Sequence, residues 1–206
     1  MATVLLIRHA HWEGVGHVLA GRVEGIRLSP RGTVEARRLA DALATIDLAA
    51  VYTSPLERAR DTAIPLAEAH GLEVREETRL LELDFGRWTG QSIAALETDP
   101  SWRRFNLERG TTRIPEGETM GEAVARAREA LRDIAGAWGD ALVAAVSHGD
   151  IIRGLVADAL GLPLERLLQL EVDPASVSIL VNGPPAGLSL LNWRADRLGA
   201  LPLKPI

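Results

Sequence analysis

The sequence contains no cysteine. That excludes a disulfide framework, a thiolate zinc site and a cysteine nucleophile, and it agrees with a cytoplasmic setting. Positive charge is not in excess: 23 Lys and Arg stand against 28 Asp and Glu, a net charge of −5. No global field therefore draws in nucleic acid or acidic lipid, and an anionic ligand must be held by a local arginine cluster. Long apolar runs are missing too. The stretch Val4 to Ile7 is shorter than a signal peptide's apolar core and is broken by Arg8. Nothing approaches the ~20 residues of a membrane helix. Aromatic residues make up only 4%. What is present is ordinary for a soluble, intracellular globular protein: 206 residues, 47% apolar and 25% charged, enough for one domain with a real core.

Strand and helix signals alternate along the chain. Thr3–Ile7 reads as a first strand. In "LSPRG", Ser29 is a good N-cap and Pro30 suits the first turn of a helix that continues through Leu39, Ala40 and Leu43. "LAAVYTSP" reads as a second strand ending at Thr53–Ser54, with Pro55 opening a helix toward Gly71 and Pro65 bending it. "LEVREE" is a third strand. Residues 84–118 carry weak periodicity and read as an excursion from the core. A long helix follows from Thr119 to Trp138, then the apolar strand "ALVAAVS", then the helix "DIIRGLVADALG", stopped by Gly161 and Pro163. Strands near Leu168–Val172, Val177–Val181 and Leu188–Trp193 close the chain. This alternation predicts an α/β fold, a mostly parallel central sheet with helices on both faces. Residues 1–206 form a single domain, with a lid at about 84–118. Val177–Val181, taken as an edge strand, is available for a homodimer.

Three predicted strands end alike. The first ends in Arg8-His9. The second ends in Ser54-Pro55, with Arg58 a turn further on, and "ALVAAV" ends in Ser147-His148-Gly149. In parallel sheets, ligands sit beyond the carboxyl ends of the strands. Arg8, His9, Arg58 and His148 can therefore converge although they are far apart in sequence. Two guanidinium forks with two imidazoles suit a phosphoryl group. Taken singly, each has a plainer reading: a polar strand end for Arg8-His9, a helix-surface residue for Arg58, a helix cap for His148.

The segments "LLIRHAHWEG", "LSPRGTVEARRLADAL", "YTSPLERARDTA", "LLELDFGRWTG", "PEGETMGE" and "AVSHGDIIR" resemble, in this order, those of the histidine phosphatase superfamily, which includes the cofactor-dependent phosphoglycerate mutases. The resemblance runs from about Thr3 to Arg153. It implies a three-layer α/β/α sandwich, phosphoglycerate mutase-like, and a covalent phosphohistidine mechanism. Position by position it implies His9 as nucleophile, Arg8, Arg58 and His148 as holders of the phosphoryl group with Gly149 beside them, and Glu82 as proton donor. No metal and no cofactor is implied, and the partner is a small phosphorylated metabolite.

The chemistry is coherent in itself. A neutral imidazole attacks phosphorus well, provided its other nitrogen is held as N–H by an acceptor such as a backbone carbonyl. The phosphoryl oxygens need charge neutralisation, here from Arg8, Arg58 and, if protonated, His148. For Glu82 to donate a proton near neutral pH its pKa must be raised. Glu77 and Asp84 lie close enough in sequence to share that role.

The chain also departs from the family pattern. Ala10 and His11 follow His9 where glycine and a polar residue are common. Val15 stands where an asparagine often contacts phosphate. Gly21 and Arg22, in "VLAGR", are candidate replacements. His11 reads as a residue facing water, and His17 and His70 as surface residues. Trp88, Trp102 and Phe105 read as packing, and Arg103, Arg104, Arg109 and Arg113 as a solvated face or as lid cations that greet an anionic substrate.

The first functional reading is a metal-independent phosphomonoester phosphatase. The rivals are a phosphomutase, a phospho-ligand binding module without turnover, and a metallohydrolase built on His9-x-His11. The modest tail "ADRLGALPLKPI" favours hydrolysis over a mutase that must close its site.

Overall fold

The computed structural model describes residues 3–181, 187–197 and 201–202. A six-stranded sheet forms its centre, built from β1 (Thr3–Arg8), β2 (Leu48–Thr53), β3 (Val74–Glu76), β4 (Leu142–Ser147), β5 (Val177–Val181) and β6 (Gly187–Trp193). The strand order is β3-β2-β4-β1-β5-β6. The first four strands run parallel, whereas β5 and β6 are antiparallel to their neighbours, so the sheet is mixed.

Six helices accompany the sheet: α1 (Pro30–Leu43), α2 (Glu57–Ala69), α3 (Ile93–Leu96), α4 (Pro100–Leu107), α5 (Met120–Trp138) and α6 (Gly149–Leu160). Both faces of β1 are covered. Leu5 and Ile7 pack with Leu39 and Leu43 of α1 and Leu66 of α2. Val4 and Leu6 pack with Ala127 of α5 and Leu155 of α6. This is why β1 is an unbroken apolar run rather than an alternating one.

The predicted helix signals take their expected form. The Ser29 hydroxyl accepts from the Gly32 amide, with Pro30 in the first turn. Thr119 and Glu122 form a reciprocal capping box on α5, and Gly161 ends α6 in the left-handed conformation.

Three expectations need correction. Helix α2 starts at Glu57 rather than Pro55, because Leu56 is still extended and serves as its N-cap; Ser54 lies ahead of the helix, its hydroxyl 2.7 Å from His148. Residues 168–172 add no strand. Leu164–Gln169 is a 3-10 turn whose Leu167 packs on the α6 side, and β5 already occupies the free side of β1. For the same reason Val177–Val181 is not an edge: it lies between β1 and β6, with no backbone left for a second copy to pair with. Tail residues 198–200 and 203–206 lie outside the described residues.

Candidate active site

The parallel strands β2, β4 and β1 end side by side, and backbone hydrogen bonds tie the loops that leave them. The His9 amide donates to Ser147 O at 2.9 Å, and the Ser54 amide donates to Val146 O at 2.9 Å. Arg8, His9, Ser54 and His148 are thus brought together by sheet register alone. The Ser147 hydroxyl donates to Leu80 O at 2.8 Å, which anchors the segment that carries Glu82 to the same edge.

His9 is 4% exposed. Its Nδ1 lies 2.9 Å from the carbonyl of Ala10, so Nδ1 carries the proton and Nε2 is left with its lone pair. Burial pushes the His9 pKa well below the usual histidine value, helped by the nearby charges of Arg8 and Arg58. The Ala10 amide in turn donates to the Thr62 hydroxyl at 2.9 Å, and that hydroxyl donates to Arg58 O at 2.8 Å. The nucleophile loop and the first turns of α2 are therefore one hydrogen-bonded unit.

Arg58 is 1% exposed and donates through Nη2 to Gly21 O at 2.7 Å and through Nη1 to Val23 O at 3.3 Å. Arg8 donates through Nη1 to Val172 O at 2.7 Å. Both Nε groups remain buried and unpartnered, as does Nδ1 of His148. Buried donors are nearly always satisfied. Three orphaned nitrogens beside the open lone pair of His9 are what an oxyanion site requires.

His148 caps α6 and is fully buried, its ring centroid 5.3 Å from that of His9. Burial, then the charges of Arg58, His9 and Arg8, push the His148 pKa well below the usual value, so its surroundings favour the neutral ring. Ser54 Oγ accepts from Leu56 and so can give its proton to His148 Nε2, which leaves Nδ1–H as a neutral donor.

His9, Arg58, Glu82 and Gly149 line one cavity of about 100 Å³; Arg8 and His148 do not line it but adjoin residues that do, Arg8 beside Gly149 and His148 beside His9. Of the three acids considered from the sequence, Glu77, Glu82 and Asp84, only Glu82 lines this cavity. Glu77 is bound to Arg79, and Asp84 accepts from the Gly86 amide. Burial and then the charge of Asp150 push the Glu82 pKa up to about 7, against the pull of the Leu83 amide, Arg58 and Arg8.

The predicted phosphate contacts divide. Gly21 lines the cavity, but its carbonyl is spent on Arg58. Arg22 does not line it: its three guanidinium nitrogens go to Glu82 O at 2.9 Å, Asp84 at 3.5 Å and Glu118 at 2.7 Å. It is a brace for the Glu82 loop, which Arg126 shares by donating to Glu82 O at 3.1 Å and to Glu118 at 2.7 Å. His11 is likewise structural. Its amide donates to Glu35 and its ring meets Ser29 at 2.9 Å, at the start of α1. Among the described residues no three metal-ligating side chains converge, so His9 and His11 do not open a ligand set. Val15 does line the cavity, as an apolar residue.

Sequence reasoning missed Thr62, Ser54, Asp150 and Arg153. The last two sit on the first turn and a half of α6, one and four residues after Gly149, and both line the cavity. Their spacing on one face of a helix that leaves the site was the available signal.

Comparison with known proteins bears on the family and the fold. A family model described as "Histidine phosphatase superfamily (branch 1)" matches residues 4–194. Phosphoserine phosphatase 1 of Hydrogenobacter thermophilus is 32% identical over 187 residues, covering 87% of this chain and 86% of that protein. A probable phosphoglycerate mutase of Serratia proteamaculans is 36% identical over 179 residues, covering 83% and 81%. The solved structure of a mycobacterial glucosyl-3-phosphoglycerate phosphatase with VO3 superimposes with a TM-score of 0.83 at 30% identity, covering 92% of this chain and 98% of that one.

Proposed function

The chain belongs to branch 1 of the histidine phosphatase superfamily and is a phosphomonoester hydrolase; from that premise we propose that His9 carries the phosphoryl group between substrate and water. Nε2 of His9 attacks phosphorus, the P–O bond to the alcohol breaks, and Glu82 gives the departing oxygen its proton. The Glu82 carboxylate then takes a proton from water as that water attacks the phosphohistidine. Phosphate leaves, His9 regains its lone pair and Glu82 is again protonated. Arg8 Nε, Arg58 Nε and His148 Nδ1 receive the equatorial oxygens, and Gly149 lets the start of α6 approach them. Neither step calls on a metal ion. A complex of a relative with VO3, an oxyanion, supports this use of the site. We read the chain as one domain, with residues 84–118 as the lid over this cavity. The cysteine-free composition supports a cytoplasmic setting.

The observation that carries the proposal is the His9 ring, buried, fixed through Nδ1 by Ala10 and flanked by three donors with no partner. The test is His9→Ala, assayed by phosphate release from benzyl phosphate. A loss on the order of 10³-fold or more is expected. Rapid quench of the native enzyme should trap an acid-labile, alkali-stable phosphoprotein that the variant lacks. Release that survives the substitution would show that another residue is the nucleophile.

A further inference from the structure

The site chemistry leaves most of the cavity wall unused, and that wall is apolar. Trp12, Val15, Val18, Leu19 and Phe85 line it. The first four are half-buried and Phe85 is buried, so together they give the cavity a contiguous apolar side. Their positions are fixed. The Leu19 amide donates to Gln91 O and the Gly90 amide to Leu19 O, so the loop after β1 is stitched to the excursion at 84–118. Phe85 leans on Trp102, with ring centroids 6.4 Å apart.

The cations near this wall hold protein partners, although Arg109 Nε is buried without one. Arg153 lines the cavity, yet its Nε donates to Leu170 O at 2.9 Å and its Nη1 faces Asp150 at 3.4 Å. Arg109 is buried against Phe105 and donates to Asn106 and Asp150. Arg104 pairs with Glu108, Arg113 with Glu122, and Arg103 donates to Glu97 O. None of those three lines the cavity. The predicted greeting of an anionic substrate by lid arginines is therefore not realised among the described residues. A second carboxylate or phosphate laid against Trp12, Val15 and Val18 would meet apolar side chains, with its desolvation uncompensated there.

We propose that the site takes phosphomonoesters whose alcohol is uncharged and mainly apolar, an aryl-methyl or branched alkyl group bearing one phosphate and no second anion. This rests on the phosphatase reading above. The phosphate end is held by Arg8, Arg58 and His148, and the alcohol gains its binding by covering Trp12, Val15 and Val18. An ester of that kind is preferred over phosphoserine or phosphoglycerate because their carboxylates would be desolvated against this apolar wall.

Two measurements test this. The first is kcat/KM for benzyl phosphate, O-phosphoserine and 3-phosphoglycerate, whose leaving alcohols are similar enough in basicity that the comparison reads binding. A preference on the order of 100-fold for the benzyl ester is expected. Trp12→Ala should narrow it, and Val15→Arg should shift it toward 3-phosphoglycerate. Comparable or better hydrolysis of either charged ester would overturn the proposal. The second is calorimetric binding of benzylphosphonate against 3-phosphonopropionate, which needs no turnover. At least about tenfold tighter binding of the benzyl compound is expected. Equal or tighter binding of the carboxylated compound overturns the proposal, whatever the hydrolysis assays give. If benzylphosphonate is preferred while no ester is cleaved, the substrate class stands and the hydrolase reading falls.

Discussion

At the scale of single residues, the site works by setting two titrating groups apart. His9 must be neutral to attack, and burial among arginines keeps it so. Glu82 must be protonated to release an alcohol, and burial beside Asp150 raises it to about 7. The same low-dielectric pocket thus favours the uncharged form of both partners. Activity should therefore fall as pH rises through the Glu82 value. Asp150→Asn removes the charge that helps raise that value, so the alkaline limb of the kcat profile should move to lower pH. Glu82→Gln should cost on the order of 10²–10⁴-fold with benzyl phosphate. With 4-nitrophenyl phosphate, whose leaving group needs no proton, the burst that forms the phosphohistidine should be largely spared, while its hydrolysis still lacks the base. A pH–rate series on both variants with both esters, the burst included, checks this. How much of the site was legible depends on its cause. His9, Arg8, Arg58 and His148 were readable because strand ends and their motifs mark them. The role of Arg22 was not, because its direction is set by Glu118, 96 residues away in sequence. No local pattern encodes such a partner.

At the scale of elements, the join between α1 and the nucleophile loop is the tightest. Gly32 lies within the first turn of α1, where glycine costs ~1 kcal/mol relative to alanine. The reason is contact: a Cβ there would overlap the carbonyl oxygen of His11, two residues after His9. Gly32→Ala should therefore destabilise by about 1–3 kcal/mol despite its better helix propensity. It should also lower kcat by displacing His9. Urea melts and kinetics on the same sample separate the two effects. Helix boundaries were legible where side chains cap them, as at Ser29 and Thr119. They were misread at Pro55, where Leu56 stays extended and delays the helix to Glu57, and at 168–172, where an apolar stretch reads as a strand but the sheet has no place for one.

At the scale of the whole molecule, the site is a burden on stability that depends on pH. In the folded protein both His9 and His148 have pKa values well below 6.5, while in the unfolded chain they titrate near it. Below about pH 6.5 the unfolded state binds more protons at these positions, so stability falls as pH falls. Glu82 acts in the opposite sense. Its folded value near 7 exceeds its unfolded value of 4.5, so the folded state gains relative stability as pH drops from 7 toward 4.5. Two imidazoles outweigh one carboxylate, and the melting temperature should drop between pH 6.5 and 5. His9→Ala should flatten that drop and Glu82→Gln should steepen it, both readable by calorimetry across the pH range.

The hydrogen bonds that hold the strand ends together lie at the middle of the sheet, whereas the apolar wall comes from two surface segments stitched to each other. Cleavage and selectivity are therefore inherited from different parts of the chain. A lineage can retool what it accepts by rewriting residues 12–20 and 84–118, without having to rediscover how to break the ester bond.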